Sequence, residues 1–131
     1  MAPKNTFISG RTGRGAAYVS DASGASHDRF MRLTARALLP LGLATAWLLA
    51  RLTGDSFEEA RAELERPFPA VVLIAFIAIG AAHARLGAES IILDYVHDEA
   101  LKQKALVVNT WVTRAIALAW AFAILLIAAP R

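Results

Sequence analysis

Three apolar blocks, separated by two polar connections, organise this chain. The first runs cleanly from Ala37 to Ala50, the second fills most of Phe68 to Tyr95, and the third fills most of Ala105 to Ala129. Long apolar runs without a two-residue alternation read as helices crossing a bilayer. The Ala37–Ala50 block alone is too short for a hydrocarbon core of about 30 Å. The first span is therefore expected over residues 28–51, with Arg32 and Arg36 in the headgroup zone and Pro40 a candidate kink. The second span, over 68–95, would be on the order of 40 Å long, more than the core needs. That excess sets Asp94 and Tyr95 at or beyond one interface and leaves His83 inside. The third span, over 105–129, is broken in pattern by Asn109, Thr113 and Arg114. Between the first two lies an acidic connection in which Ser56-Phe57-Glu58-Glu59 has capping-box spacing, predicting a short surface helix that Pro67 ends. Residues 1–26 are rich in Gly, Ser, Ala and Arg and show no apolar period, which predicts a flexible arm on the membrane surface, leaving residues 27–131 as the anchor.

Composition agrees with an all-α integral membrane protein. The chain has 131 residues, of which 56% are hydrophobic, and a mean hydropathy of +0.45, too apolar for a soluble domain of this size. Having no cysteine, it can offer neither disulfides nor thiolate ligands to an iron–sulfur cluster. Its net charge of +3 is modest and its basic residues cluster at the N-terminus and interrupt the spans, which suits orientation in a bilayer rather than binding to nucleic acid. Lys4, Arg11, Arg14, Arg29, Arg32 and Arg36 precede the first block, and Lys102 and Lys104 follow the second. On the other side, Arg51, Arg61, Arg66 and Arg131 are diluted by five acids. The positive-inside rule then expects a cytoplasmic N-terminus, a periplasmic C-terminus and a cytoplasmic Asp94-Tyr95 end. No apolar core of a secretory signal is visible in the first thirty residues. Three helices with no internal repeat bury little by themselves, so a component of a larger complex is a better expectation than a stand-alone transporter.

The chemistry is concentrated in the second span. At about 100° per residue, His83, Gly87, Ser90 and Asp94 share one face of the helix. An ionisable group inside a span is costly and usually functional. A neutral imidazole is a common axial ligand of haem iron, and Gly87, one turn on, would let a flat ring approach the backbone. The same histidine could instead hydrogen-bond a neighbouring helix. His97 lies fourteen residues further on, roughly 21 Å by helix rise, so it cannot serve the same iron. A second axial histidine would have to come from another chain. Asp94 and Tyr95 sit where a quinone headgroup could enter from the bilayer, a phenol being a suitable donor to a quinone carbonyl, although a polar helix end with an interfacial tyrosine has the same composition. Arg85 and Glu89 form an i,i+4 pair opposite His83, read as mutual neutralisation.

The stretch His83-x-x-x-Gly87, continuing to Asp94-Tyr95-Val96-His97, resembles the signature of the D-type hydrophobic membrane anchor of succinate dehydrogenase, respiratory complex II, in its bacterial form. The approach to the first span, Arg32-Leu33-Thr34-Ala35 with Pro40-Leu41, is similar too. Glu89 and Leu93 depart from that family's pattern, where glutamine and glutamate are expected. The resemblance implies a three-helix anchor in a heterodimeric bundle with a second membrane anchor, the C-type cytochrome b chain. The pair would dock the iron–sulfur and flavoprotein subunits on the cytoplasmic face of the bacterial inner membrane. Carried over, His83 would be one axial ligand of a haem b iron and Gly87 would pack the ring. Arg32 would lie near the propionates, Tyr95 would hydrogen-bond ubiquinone and Asp94 would support that site. The implied function is that of a component, inactive alone, of a succinate:quinone oxidoreductase. The other readings are a haem-free structural or assembly component of a membrane complex, a small transport component, and the anchor of a quinol:fumarate reductase.

Overall fold

The computed structural model describes the backbone of residues 11–129 and the side chains of residues 24–129. Among the described residues four helices follow one another, with no strand: α1 (Arg11–Arg51), α2 (Phe57–Leu64), α3 (Pro67–Tyr95) and α4 (Glu99–Ala128). Three stretches of the described residues are long and apolar enough to cross a membrane: Gly24–Arg51, Pro67–Tyr95 and Glu99–Ala128. The all-helical, three-span architecture expected from the blocks is the one observed. The chain divides into two compact units, Met1–Arg32 and Leu33–Arg131.

Helix ends differ from the apolar boundaries for local reasons. The backbone is helical from Arg11, where the sequence pattern predicts a flexible arm up to residue 26. The segment lacks an apolar period, but Ala16, Ala17, Ala22 and Ala25 are strong helix formers, and a polar helix needs no stripe to exist. The part of the arm over residues 1–10 lies outside the described residues. Pro40 sits inside α1 and the helix is assigned through it without a break. Likewise α4 begins at Glu99, six residues before its apolar block. Its start is fixed by Asp98, whose carboxylate accepts from the Leu101 N–H at 2.7 Å, and by a Lys102–Glu99 ion pair of 2.7 Å. Pro67 opens α3 at its first position, where a missing N–H costs nothing.

The capping box of α2 forms in full. The Ser56 N–H donates to Glu59 Oε2 at 2.7 Å and the Glu59 N–H donates to Ser56 Oγ at 3.4 Å. The Ser56 hydroxyl and then its N–H hold the Glu59 carboxyl below the usual carboxylate value. A depressed folded-state value means that this contribution is present above the unfolded value and fades as pH falls through the folded one. Gly54, with φ of 94°, makes the turn before α2 in a region that a side chain would disfavour.

Within the unit from Leu33 onward, α1 and α3 run antiparallel. Thr34 meets His83, Leu38 approaches Gly80 and Phe76 approaches Gly42, so the paired numbers rise along one helix and fall along the other. Asn109 of α4 donates through Nδ2 to the Arg85 carbonyl of α3 at 2.9 Å. At the other end of the bundle, Arg61 of α2 donates to the Ala129 carbonyl at 3.0 Å, tying the connection to the end of α4. Among the described residues the buried apolar core is small: Leu48, Leu64, Ala70, Val72 and Ile124. Large side chains such as Leu39, Trp47, Trp111, Leu118 and Phe122 are exposed, as suits helices that face lipid or other chains.

Candidate functional site

His83 is the one histidine of the described residues that lies within a candidate span away from its ends. Its ring is half-buried, and its Nδ1 is 2.8 Å from the hydroxyl of Thr34 on α1. Thr34 is buried, with 7% of its surface accessible. No partner for Nε2 is found among the described residues. The interhelical bond that a bridging histidine would make is therefore present, and it occupies one ring nitrogen only.

The stripe expected on α3 is only partly available. Gly87 follows His83 by one turn and is half-buried. The Ser90 hydroxyl turns back to the Leu86 carbonyl at 3.1 Å, so it is engaged with its own helix. Asp94 and Tyr95 are both exposed in the last turn, and Tyr95 has 77% of its surface accessible. Helix rise alone separates His83 from Tyr95 by about 18 Å, so ring and phenol serve different depths of one helix. The end of α3 is closed by the Val96 N–H to the Ile92 carbonyl at 3.0 Å. His97 Nδ1 donates to the Tyr95 carbonyl, also at 3.0 Å, which fixes the backbone beside the phenol.

Arg32 lies in the unit that ends at that residue, and its guanidinium is in a 2.7 Å ion pair with Asp28. Both side chains of that pair are mostly exposed, so the pairing is weak and can be exchanged for another anion. Arg85 and Glu89 pair at 3.4 Å on the face away from His83, as their spacing predicts. Arg114 lines a groove of about 410 Å³ with Arg85, Thr113 and a wall of alanines.

Two interhelical contacts are not written in the sequence. Thr34 lies forty-nine residues from His83, and although it stands in the motif at the approach to the first span, nothing there names its partner. Asn109 looks like a break in the third block, yet it is the donor that joins α4 to α3. A polar side chain at span depth, asked which neighbouring helix it satisfies, would have raised both.

The family described as succinate dehydrogenase/fumarate reductase transmembrane subunit matches residues 12–128. The chain belongs to this family. Comparison with curated proteins and with solved structures returned no match. As a succinate dehydrogenase/fumarate reductase transmembrane subunit, the chain is a membrane component of an oxidoreductase complex and is not catalytic alone. The family match spans all three candidate spans and so takes in Thr34, His83 and Tyr95.

A haem is the prosthetic group to test against these residues. Among the described residues no group of three or more His, Cys, Asp or Glu could hold a bare metal ion. A haem iron asks less, since the porphyrin supplies four ligands and this chain need give one imidazole nitrogen. His83, with Nδ1 hydrogen-bonded and Nε2 not, fits that demand.

The Arg85–Glu89 pair yields a prediction of its own. Glu89→Leu leaves a guanidinium at span depth without its anion, a loss on the order of 1–3 kcal/mol at a half-exposed site. Arg85→Leu with Glu89→Leu removes both charges and should recover most of it. Thermal unfolding of the detergent-solubilised complex checks the ordering; a double variant no more stable than Glu89→Leu would show that the pair is not what the site needs.

Proposed function

We propose that this chain is the D-type anchor of a succinate:quinone oxidoreductase, contributing one axial ligand to a haem b and part of a ubiquinone site. The observation that carries the reading is the state of the His83 ring: half-buried within a span, with Nδ1 held by Thr34. The exposed Asp94 and Tyr95 at the end of the same helix support the second half. Together with a second three-helix anchor, which would bring the other axial histidine, it would seat the iron–sulfur and flavoprotein subunits at the membrane. The charge distribution supports a cytoplasmic Asp94-Tyr95 end and N-terminus, a periplasmic C-terminus and a bacterial inner membrane.

The chemistry at Tyr95 follows from what quinone reduction needs. A quinone takes two electrons and two protons to become a quinol, one proton on each carbonyl oxygen. The phenol O–H of Tyr95 would donate to one carbonyl oxygen and polarise it toward reduction. Asp94, beside it, would orient a cationic donor from a neighbouring chain or pass on a proton. Both side chains face outward, so the remaining walls of the pocket would come from the partner chains. A bound haem b supplies a one-electron carrier and a link between the two anchors. For the haem, His83 would ligate through Nε2, Gly87 would give room for a flat ring, and Arg32 would exchange Asp28 for a propionate.

The test is the complex purified on this chain in mild detergent. Succinate-dependent quinone reduction and a b-type band in the dithionite-reduced minus oxidised spectrum are expected together. Quinone reduction without the band would move the reading to a haem-free anchor. Efficient fumarate reduction by quinol, with weak succinate oxidation, would assign the reverse direction.

A further inference from the structure

We propose that Thr34 is a positioning residue for the haem ligand: its hydroxyl accepts from Nδ1–H of His83, and so fixes the tautomer and the ring plane that present Nε2 to iron. This rests on the reading of His83 as an axial ligand. Two arrangements share the observed 2.8 Å separation. If the hydroxyl donates, Nδ1 is the acceptor, Nε2 carries the proton and the ring cannot ligate as a neutral imidazole. If Nδ1–H donates, the Nε2 lone pair is free. Two of the other helical threonines indicate which holds, while Thr45 of α1 has no hydrogen-bond partner among the described residues. Thr110 and Thr113 give their protons to the carbonyls of Leu106 and Asn109, one turn back, at 2.9 and 2.6 Å. A helical threonine that donates in this way keeps its oxygen lone pairs for an incoming N–H. Thr34 is buried, so its partner meets no competing water, and the α1–α3 contacts at Leu38–Gly80 and Gly42–Phe76 hold the two side chains in register.

The bond has an electronic consequence. Nδ1–H donation makes Nε2 more basic, and a more basic axial nitrogen favours ferric over ferrous iron. Loss of the Thr34 hydroxyl should therefore raise the haem potential and weaken haem retention.

The experiment compares the wild-type complex with Thr34→Val, which keeps the shape and loses the hydroxyl, and Thr34→Ser, which keeps the hydroxyl. Three quantities are read: the reduced-to-oxidised haem ratio at one fixed potential, the low-temperature EPR signal of the ferric haem, and haem per complex after washing in detergent. Thr34→Val is expected to raise the ratio about tenfold or to lose haem about tenfold faster, with a shifted EPR signal, while Thr34→Ser stays close to wild type. A Thr34→Val complex with wild-type ratio, signal and retention overturns the proposal. So does a Thr34→Ser complex altered as much as Thr34→Val, because the methyl group and not the hydroxyl would then matter. A wild-type complex without haem overturns the ligand reading itself, a result separate from either of these.

Discussion

His83→Ala is expected to abolish the native b-type spectrum of the complex. On the proposed reading this substitution removes one of two axial nitrogens, and His97 does not replace it. His97 lies beyond α3, roughly 21 Å from His83 by helix rise, and its Nδ1 is already committed to the Tyr95 carbonyl. The outcome is therefore loss of the haem or conversion to a five-coordinate form with a displaced absorption band. Thr34 loses the imidazole too, but a helical hydroxyl is satisfied by its own backbone, so the helices need not separate. Succinate oxidation by an artificial dye, measured on the same preparation, separates a local loss at the haem from failure of the complex to assemble. A His83→Ala complex that assembles and keeps the wild-type spectrum would make His83 only a bridge to α1.

The spans were legible because the bilayer imposes a length and an apolar composition that few other structures share. Two helix starts were not. Residues 11–26 and 99–104 read as polar flanks, yet α1 is helical from Arg11, and α4, capped by Asp98, starts six residues before its apolar stretch. Apolar content reports where lipid is, whereas a helix ends where its N–H groups find other partners. The capping box at Ser56 and the Arg85–Glu89 pair were readable for a related reason: each joins residues three or four apart, a spacing written into the chain.

Contacts between helices follow a different rule. Thr34–His83 and Asn109–Arg85 each depend on which faces of two helices meet, and the sequence of a short bundle leaves that choice open. Helices gain no hydrophobic drive from meeting in lipid, so polar bonds of this kind carry a larger share of the specificity than in a soluble core. The same reasoning applies to α3, which meets a hydroxyl of α1 on one side and a carboxamide of α4 on the other. Fixing the middle of α3 from both sides fixes the depth of His83 and the exit of Tyr95 together.

Tyr95→Phe, in a complex that otherwise assembles normally, should cut quinone reduction at least tenfold, about 1.4 kcal/mol in the barrier, while dye-coupled succinate oxidation stays intact. The ring would remain at the end of α3, where its 77% accessibility shows that this chain does not use it as core packing, so the substitution removes an O–H and little else. On the proposed reading what is lost is the donor to a quinone carbonyl, and charge builds on that oxygen as electrons arrive, so the effect should fall on turnover more than on quinone affinity. The haem spectrum should be unchanged, since about 18 Å of helix separates the phenol from His83. An opposite pattern, with weaker apparent quinone affinity and unchanged maximal rate, would make Tyr95 a wall of the pocket. Unchanged kinetics in both respects would remove Tyr95 from the site and leave the carboxylate of Asp94 as the group to substitute next.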